Sequence, residues 1–521
     1  MGEAKNQSGL RARTAVAEVL GKPRLPVALE TFGGKLHVEW DPQAAVTPLG
    51  QLPFFIEFLK VSGLFERFVQ QCPLTYESPN APSKRDVLGT LMLSILAGHH
   101  RYAHISSIRA DGVNPQLLGM KRVLSEDSAR RALKKVEEQA GIAWLEEQLR
   151  HLYSPMLLTD WILDIDTTVK PLYGHQEGAK EGYNPEKPGR PSHAYHSYMM
   201  GNTRLIMNVE VQPGNQTSAT FSAPDLFRLL ESLPPDERPR LIRGDIAFGI
   251  ERIMVQAEGL KTQYLSKLRL TKGVRSLIER LFNEPQWQPA GQGWEGVESE
   301  LRLSGWSRHR RVVVLRRRIR EQSVTRQKQL RLQFCVTSSP DKLYEYAVLV
   351  TNSSYPVLTL AQLYRDRADC ENHFDELKNQ WGWGGYTTRD LKRCRLISRM
   401  VGLIYNWWSI FVRLAHPKTH LEAITSRPLL LEAVAKETQH AGQRHLTITS
   451  THALAETVQR ALRALSGFLK ELKATAEQLD PLRLMYRILS HAFRVLLGGK
   501  PLTPPHPGLR WAPGCSPNCR F

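Results

Sequence analysis

The stretch WILDIDTTV, residues 161 to 169, decides how this chain is read. Side chains on a strand alternate between faces, so Leu163 and Ile165 share one face while Asp164 and Asp166 share the other. A short run this rich in apolar and β-branched residues reads as a strand of a buried sheet. Two acids on one face of such a strand repel each other unless a cation or donor compensates. Upstream, to about residue 155, helical spacing dominates, as in TPLGQLPFFIEFLKVSGLFERFVQQC and KRDVLGTLMLSILAGHHRY. Downstream, YHSYMMG, TRLIMNVEVQ, RLIRGD and QYLSKL read as further strands, and APDLFRLLESL and GIERIMVQAEG as helices. Strands in succession, then alternating with helices, indicate a mixed α/β core.

Residues 275–350 turn β-rich again in SELRLSGW, RRVVVLRRRI, LRLQFCVTS and YEYAVLVTN, which reads as an insertion into that core. The insertion carries a basic cluster of Arg308, Arg310, Arg311, Arg316, Arg317, Arg318 and Arg320. The expected layout is a helical DNA-binding domain over 1–155, core segments over 156–274 and 351–415 flanking the insertion, and a C-terminal helical domain, a candidate for dimerisation, over 416–498. The Pro-rich tail 499–521 is expected to be disordered. RCRLISRMVGLIYNWWSIFVRL is apolar on most faces and reads as a buried helix. Within the first domain, Ser125 suits the N-cap of a helix carrying Arg130, Arg131, Lys134 and Lys135. Two short helices and a turn here fit a helix-turn-helix-like DNA reader, and they equally fit a basic surface helix of an ordinary bundle.

The chain has 521 residues and a formal net charge of +19, with a pI near 9.7. So large a cationic excess favours a polyanionic partner, because each phosphate neutralised releases counterions. No apolar run approaches the ~20 residues of a membrane span. The N-terminus lacks the apolar core of a signal peptide, so a soluble, cytoplasmic protein is expected. The six cysteines are scattered and support neither a disulfide framework nor a zinc site.

A second stretch, LYRDRADCENHFDELKNQWGWGG at 363–385, carries the chemistry. On one continuous helix, Tyr364, Arg367, Glu371 and Lys378 fall on a stripe about 60° wide, joined by Asp375, whereas Glu376 faces away and is expected to be dispensable. A solvated helix face with i,i+4 pairs would look the same. Asp245 ends the strand of RLIRGD, where acids of α/β sites often sit. Asp166, Asp245 and Glu371 together, in so basic a chain, point to a carboxylate cluster holding Mg²⁺. Two such ions about 3.5–4 Å apart can activate an attacking oxygen and stabilise a leaving one in phosphoryl transfer.

These motifs resemble the RNase H-like DDE transposases of bacterial insertion sequences. DTT at 166–168, Asp245, and Y-x2-R-x3-E-x6-K at Tyr364, Arg367, Glu371 and Lys378 match that family's pattern, and YGHQEGAKEGYNPEKPG is similar to the YGKQEGA segment of one subgroup. The resemblance implies an RNase H-like core interrupted by a β-rich insertion. Asp166, Asp245 and Glu371 would be the catalytic acids and metal ligands, holding two Mg²⁺ ions for which Mn²⁺ substitutes. Tyr364, Arg367 and Lys378 would contact DNA phosphates. The family motif places its acid directly before Thr-Thr, which selects Asp166 over Asp164. His196, in YHSYMM, resembles a residue that approaches DNA or simply packs; Trp306 would stack on a flipped base or sit in a core. Implied partners are double-stranded transposon-end and target DNA, and a second copy of the chain in a homodimer, in a bacterial, nucleoid-associated setting. The implied activity is metal-dependent strand cleavage and strand transfer. A DNA-binding protein of the same descent without catalysis is the alternative; a two-carboxylate glycosidase has no use for the basic charge.

Overall fold

The computed structural model describes residues 26–318, 344–476 and 480–504. The strand expected in LRLQFCVTS, Arg320 and all but the first residues of the C-terminal tail lie outside them. The chain divides into two compact units, one of Met1–Val46 with Lys436–Thr447, the other of Thr47–Ala435 with Ile448–Phe521.

In the smaller unit, strand Val27–Thr31 pairs antiparallel with Gly34–Val38, Val27 opposite Val38 and Thr31 opposite Gly34. Gly34 takes φ 108°, a conformation open to glycine and strained for other residues. Sequence reading placed this region among helices; the alternating VALET and GKLHV segments override that reading. Strands Val434–His440 and Gln443–Thr449 are likewise adjacent and interrupt the helical region expected over 416–498.

The larger unit is built on a nine-stranded sheet. Its strands are β1 (Ile162–Pro171), β2 (Ser192–Met200), β3 (Leu205–Pro213), β4 (Leu241–Gly244), β5 (Gln263–Lys267), β6 (Gln288–Gly291), β7 (Trp294–Leu301), β8 (Arg310–Arg318) and β9 (Tyr344–Thr351). Across the sheet they run β3-β2-β1-β4-β5-β9-β8-β7-β6. The first three are antiparallel neighbours, β1, β4 and β5 are parallel, and the remaining pairs are antiparallel. The β-rich segment expected as an insertion therefore extends the core sheet: Leu349, Val350 and Thr351 of β9 pair with Lys267, Ser266 and Leu265 of β5.

Helix Leu391–Ala415 is apolar nearly all round and almost wholly buried, as its sequence requires. It docks on the outer strand β3 through Asn406, whose side chain accepts from the Ile206 backbone N–H at 2.9 Å and donates to the Ile206 carbonyl at 2.8 Å. One amide thus satisfies both backbone groups of a buried residue on the sheet's outer strand. The helix's other faces meet the N-terminal helices, Trp408 lying 5.4 Å from Phe55 and Trp407 5.4 Å from Phe68, ring centre to ring centre. Consequently residues 47–155, expected to stand apart as a helical domain, share one core with the sheet. Among the described residues no helix is long and apolar enough to cross a membrane.

Candidate active site

The register of two parallel strands sets the site. Ile165 of β1 lies opposite Gly244 of β4, so Asp166 and Asp245, one residue further along each strand, emerge side by side. Asp245 folds back, its Oδ1 accepting from the Ala247 N–H at 2.8 Å, and Asp166 accepts from the Thr167 N–H at 2.7 Å. Two residues upstream the same register sets Asp164 opposite Arg243. There the guanidinium grips the carboxylate through Nε and Nη2, both at 2.6 Å, and both side chains are buried. Arg243 also donates to the Leu363 carbonyl at 2.7 Å, tying the sheet to the helix that leads into the second motif. Sequence reading missed Arg243, although its position two residues before Asp245 puts it on the face that Asp164 uses, two residues before Asp166.

The second motif is not one helix. Helix Val357–Arg365 ends, and helix Ala368–Asn379 begins after Arg367. The Arg367 N–H reaches back only three residues, to the Tyr364 carbonyl at 3.2 Å, which tightens the turn. Asp366 and Arg367 keep helical angles, so the stripe survives the break. Arg367 is buried and spans two acids: Nη2 donates to Asp166 at 2.8 Å and Nη1 to Glu371 at 3.0 Å. Burial, reinforced by Asp245 and Glu371 and opposed by Arg367, pushes the Asp166 carboxyl up to about 7. Burial likewise pushes the Tyr364 phenol up to about 12. Glu371 itself is largely exposed.

Two clefts flank these groups. One, of about 530 Å³, is lined by Tyr364, Arg367 and Glu371 together with Trp294 and Gln292. The other, of about 1070 Å³, is lined by Thr167, Thr168, Asp245 and Lys378, and by Tyr183 to Glu186 of the YGHQEGA-like segment. Lys378 Nζ stands 3.8 Å from Glu186. The stripe thus serves both clefts, Lys378 on one side and Tyr364 on the other.

Other expectations resolve differently. Glu376 does face away from Glu371, but it faces the core: its carboxylate accepts from the Trp381 indole N–H at 3.1 Å, the Ala423 N–H at 3.0 Å and His420 Nε2 at 2.9 Å. It is a buried junction between helices, not a dispensable surface acid. Asp375 is exposed and accepts from Asn379 at 2.6 Å. His196 packs, with Nδ1 2.9 Å from the Thr167 hydroxyl and Nε2 2.7 Å from the Gln216 carbonyl. Since Nε2 must donate to that carbonyl, Nδ1 accepts from Thr167, and burial holds the ring neutral with a pKa of about 4. Trp306 is buried, with the Arg310 guanidinium 5.3 Å from its ring centre, so it offers no open face for a base. Arg130 and Arg131 lie on helix Glu126–Lys135, whose Ser125 N-cap accepts from the Ser128 N–H, in a separate groove.

Carboxylate oxygens suit a hard cation, yet among the described residues no three or more His, Cys, Asp or Glu side chains form a group able to hold a metal. Mg²⁺ commonly takes one or two carboxylates and completes its shell with water and substrate phosphate. Asp245 lines the wider cleft with Asp166 beside it, and the two carboxylates fit an ion shared with a phosphate; Arg367 engages both Asp166 and Glu371.

The sequence from residue 50 to 469 matches the family model for the transposase DDE domain, group 1. The chain belongs to this family. It is a DDE transposase, a family of DNA-processing enzymes that generally work with divalent metal ions. No curated protein matches the chain. Among solved structures it is similar to the piggyBac transposase synaptic complex with hairpin DNA, at 12% identity and a TM-score of 0.38, covering 91% of this chain and 90% of that one.

Proposed function

We propose that this transposase belongs to the insertion-sequence group with the Y-x2-R-x3-E-x6-K signature, binds the terminal inverted repeats of its own element and cuts and rejoins DNA strands there. The observation that carries the reading is the placement of Asp166 beside Asp245 with Arg367 between Asp166 and Glu371. The strand order β3-β2-β1-β4-β5, antiparallel then parallel, supports an RNase H-like core.

On this reading Asp166 and Asp245 would hold one Mg²⁺ ion and Glu371, once Arg367 releases it, would join them to hold a second, with Mn²⁺ able to substitute. Bound there, the ions would activate the attacking oxygen and stabilise the leaving one. The chain's own groups do the rest. Arg367 exchanges a carboxylate for a phosphate oxygen, the charge-assisted pairing its planar fork favours. Lys378 supplies a mobile point charge across the wider cleft, and the Tyr364 hydroxyl, kept protonated, donates to the DNA backbone. Two chains are proposed to pair the two ends in the bacterial nucleoid, cut-and-paste fashion.

The test is strand cleavage of duplex DNA carrying the element's ends. Wild type with Mg²⁺ is expected to cut at the element boundary. Removal of the metal with a chelator, or Asp166→Asn, is expected to abolish cutting while leaving end binding. Undiminished cutting by Asp166→Asn would remove Asp166 from the site; binding without cutting by the wild type would leave a DNA-binding protein of transposase descent.

A further inference from the structure

A third cleft, of about 830 Å³, lies apart from the acids, and three segments distant in sequence build it. Helix Glu126–Lys135 contributes Arg130, Arg131 and Lys134, the loop after β1 contributes His175, and the approach to helix Leu391–Ala415 contributes Arg389 and Arg393. The segments are locked together by backbone contacts. Lys392 Nζ donates to the Lys134 carbonyl at 2.8 Å, and Arg393 Nη1 to the Arg130 carbonyl at 3.4 Å. The Glu177 N–H donates to the Arg389 carbonyl at 2.8 Å, and Glu177 Oε2 accepts from the Leu391 N–H at 3.0 Å. This is a preformed groove.

Its charge is one-sided. Five cations face one lining carboxylate, Asp127. Arg130 pairs with that carboxylate and Arg393 with Asp390. Arg131 spends its Nε on the Asp127 backbone carbonyl at 3.3 Å, and among the described residues neither it nor Lys134 nor Arg389 has an ion-pair partner. Three exposed cations on the walls of one groove repel one another, and the one lining carboxylate, Asp127, is already paired with Arg130. An evenly charged polyanion would relieve that repulsion.

We infer that this groove seats the sugar-phosphate backbone of duplex DNA, with Arg131, Lys134 and Arg389 on phosphates. The inference rests on the DNA-processing reading and adds a second anchoring surface to it. It also revises what the basic helix does. Reading bases calls for guanidinium groups projecting free into a major groove, whereas Arg130 is tied to Asp127 and the helix is built into a composite wall. Phosphate contacts position the duplex and carry no sequence information.

The test uses full-length protein with chelator present, so that nothing is cut, and duplex binding is measured as a function of salt. Each phosphate contact contributes about 0.9 to the slope of log K against log salt. The triple variant Arg131→Ala, Lys134→Ala, Arg389→Ala is expected to flatten the slope by about 2 to 3 and to weaken binding at ~0.1 M salt on the order of 10²-fold, equally for end and scrambled sequences. The double variant Arg131→Lys, Arg389→Lys keeps the charge and is expected to keep the slope. Should the triple variant lose thermal stability, Lys134→Glu alone carries the test, with a flattening of at least about 1. An unchanged slope in the folded charge-removing variants would overturn the groove while leaving the cleavage reading intact. A wild type that binds no duplex at all would overturn both.

Discussion

Asp164 and Asp166 stand two residues apart on one face of β1, and each meets an arginine, but the two pairs differ in every other respect. Asp164 and Arg243 are both buried, joined by two 2.6 Å bonds, with the remaining guanidinium nitrogen spent on the Leu363 carbonyl. Nothing is left to exchange. Arg367 divides itself between Asp166 and Glu371, and its buried Nε has no hydrogen-bond partner among the described residues. A buried donor left unsatisfied costs free energy, so this pair is under-filled where the other is complete. The same residue types give a staple where strand register sets the pair and a site that can trade partners where the arginine comes from a helix.

The closed pair should break hardest. Asp164→Ala leaves the Arg243 guanidinium buried and uncompensated, a class of change that costs about 3–5 kcal/mol. Chemical denaturation should show that loss. A variant with near-native stability would make Asp164 and Arg243 as exchangeable as the open pair and erase the contrast. Next comes Glu376→Ala, which strips partners from the Trp381 indole, the Ala423 N–H and His420. With the unmet donors counted, roughly 2–4 kcal/mol of stability should go. Glu371→Ala, on the exposed face of the same helix, should cost little stability and should abolish cleavage.

The open pair predicts a different readout. Arg367→Ala should slow strand cleavage by an amount equivalent to about 1.5–3 kcal/mol, a typical charge-assisted contact, because a phosphate ligand is lost. It should also raise the affinity of the metal-free protein for Mn²⁺, measured by paramagnetic resonance, since the cation between Asp166 and Glu371 is gone. Unchanged Mn²⁺ affinity would show that Arg367 does not compete for that position.

How far these features could be read without coordinates follows from how local they are. The alternation of LDID and the position of Asp245 depend on one strand each, and the structure sets the two acids side by side. The helical stripe also rests on local geometry and survives a break at Arg367 that sequence did not announce. What stayed hidden depends on partners remote in the chain. A helical wheel puts Glu376 opposite Glu371 but cannot say that Ala423 and His420 wait there. Whether Trp306 stacks on a base or sits in a core is decided by Arg310, which lies against its ring. The separation of an N-terminal domain failed for the same reason: the apolar surplus of helix Leu391–Ala415 has to be covered, and residues 47–155 cover it.

The smallest expected effect sets the background for the comparison. Burial raises the carboxyls of Asp164 and Asp166, so acid favours their folded forms, and the acid-sensitive groups are buried histidines. His151 and His99 are held neutral, each with a pKa of about 4, chiefly by burial, with Arg67 adding to the first and His104, Arg427 and His100 to the second. An unfolded chain binds protons at these positions near pH 6.5, while the folded chain does not until about pH 4. Stability should therefore be complete above pH 6.5 and fall as the pH drops from there towards 4. Asp225 works in the opposite direction, its carboxyl raised to about 6 chiefly by burial, so that acid favours its folded form. With His196, also held at about 4, and Asp166, raised to about 7, three histidines stand against Asp225 and Asp166 and leave a net loss, and the melting temperature should drop by about a few degrees between pH 7 and pH 5. His151→Gln removes one of these histidines and should shrink the drop; an equal drop in that variant would show that His151 does not carry the acid sensitivity.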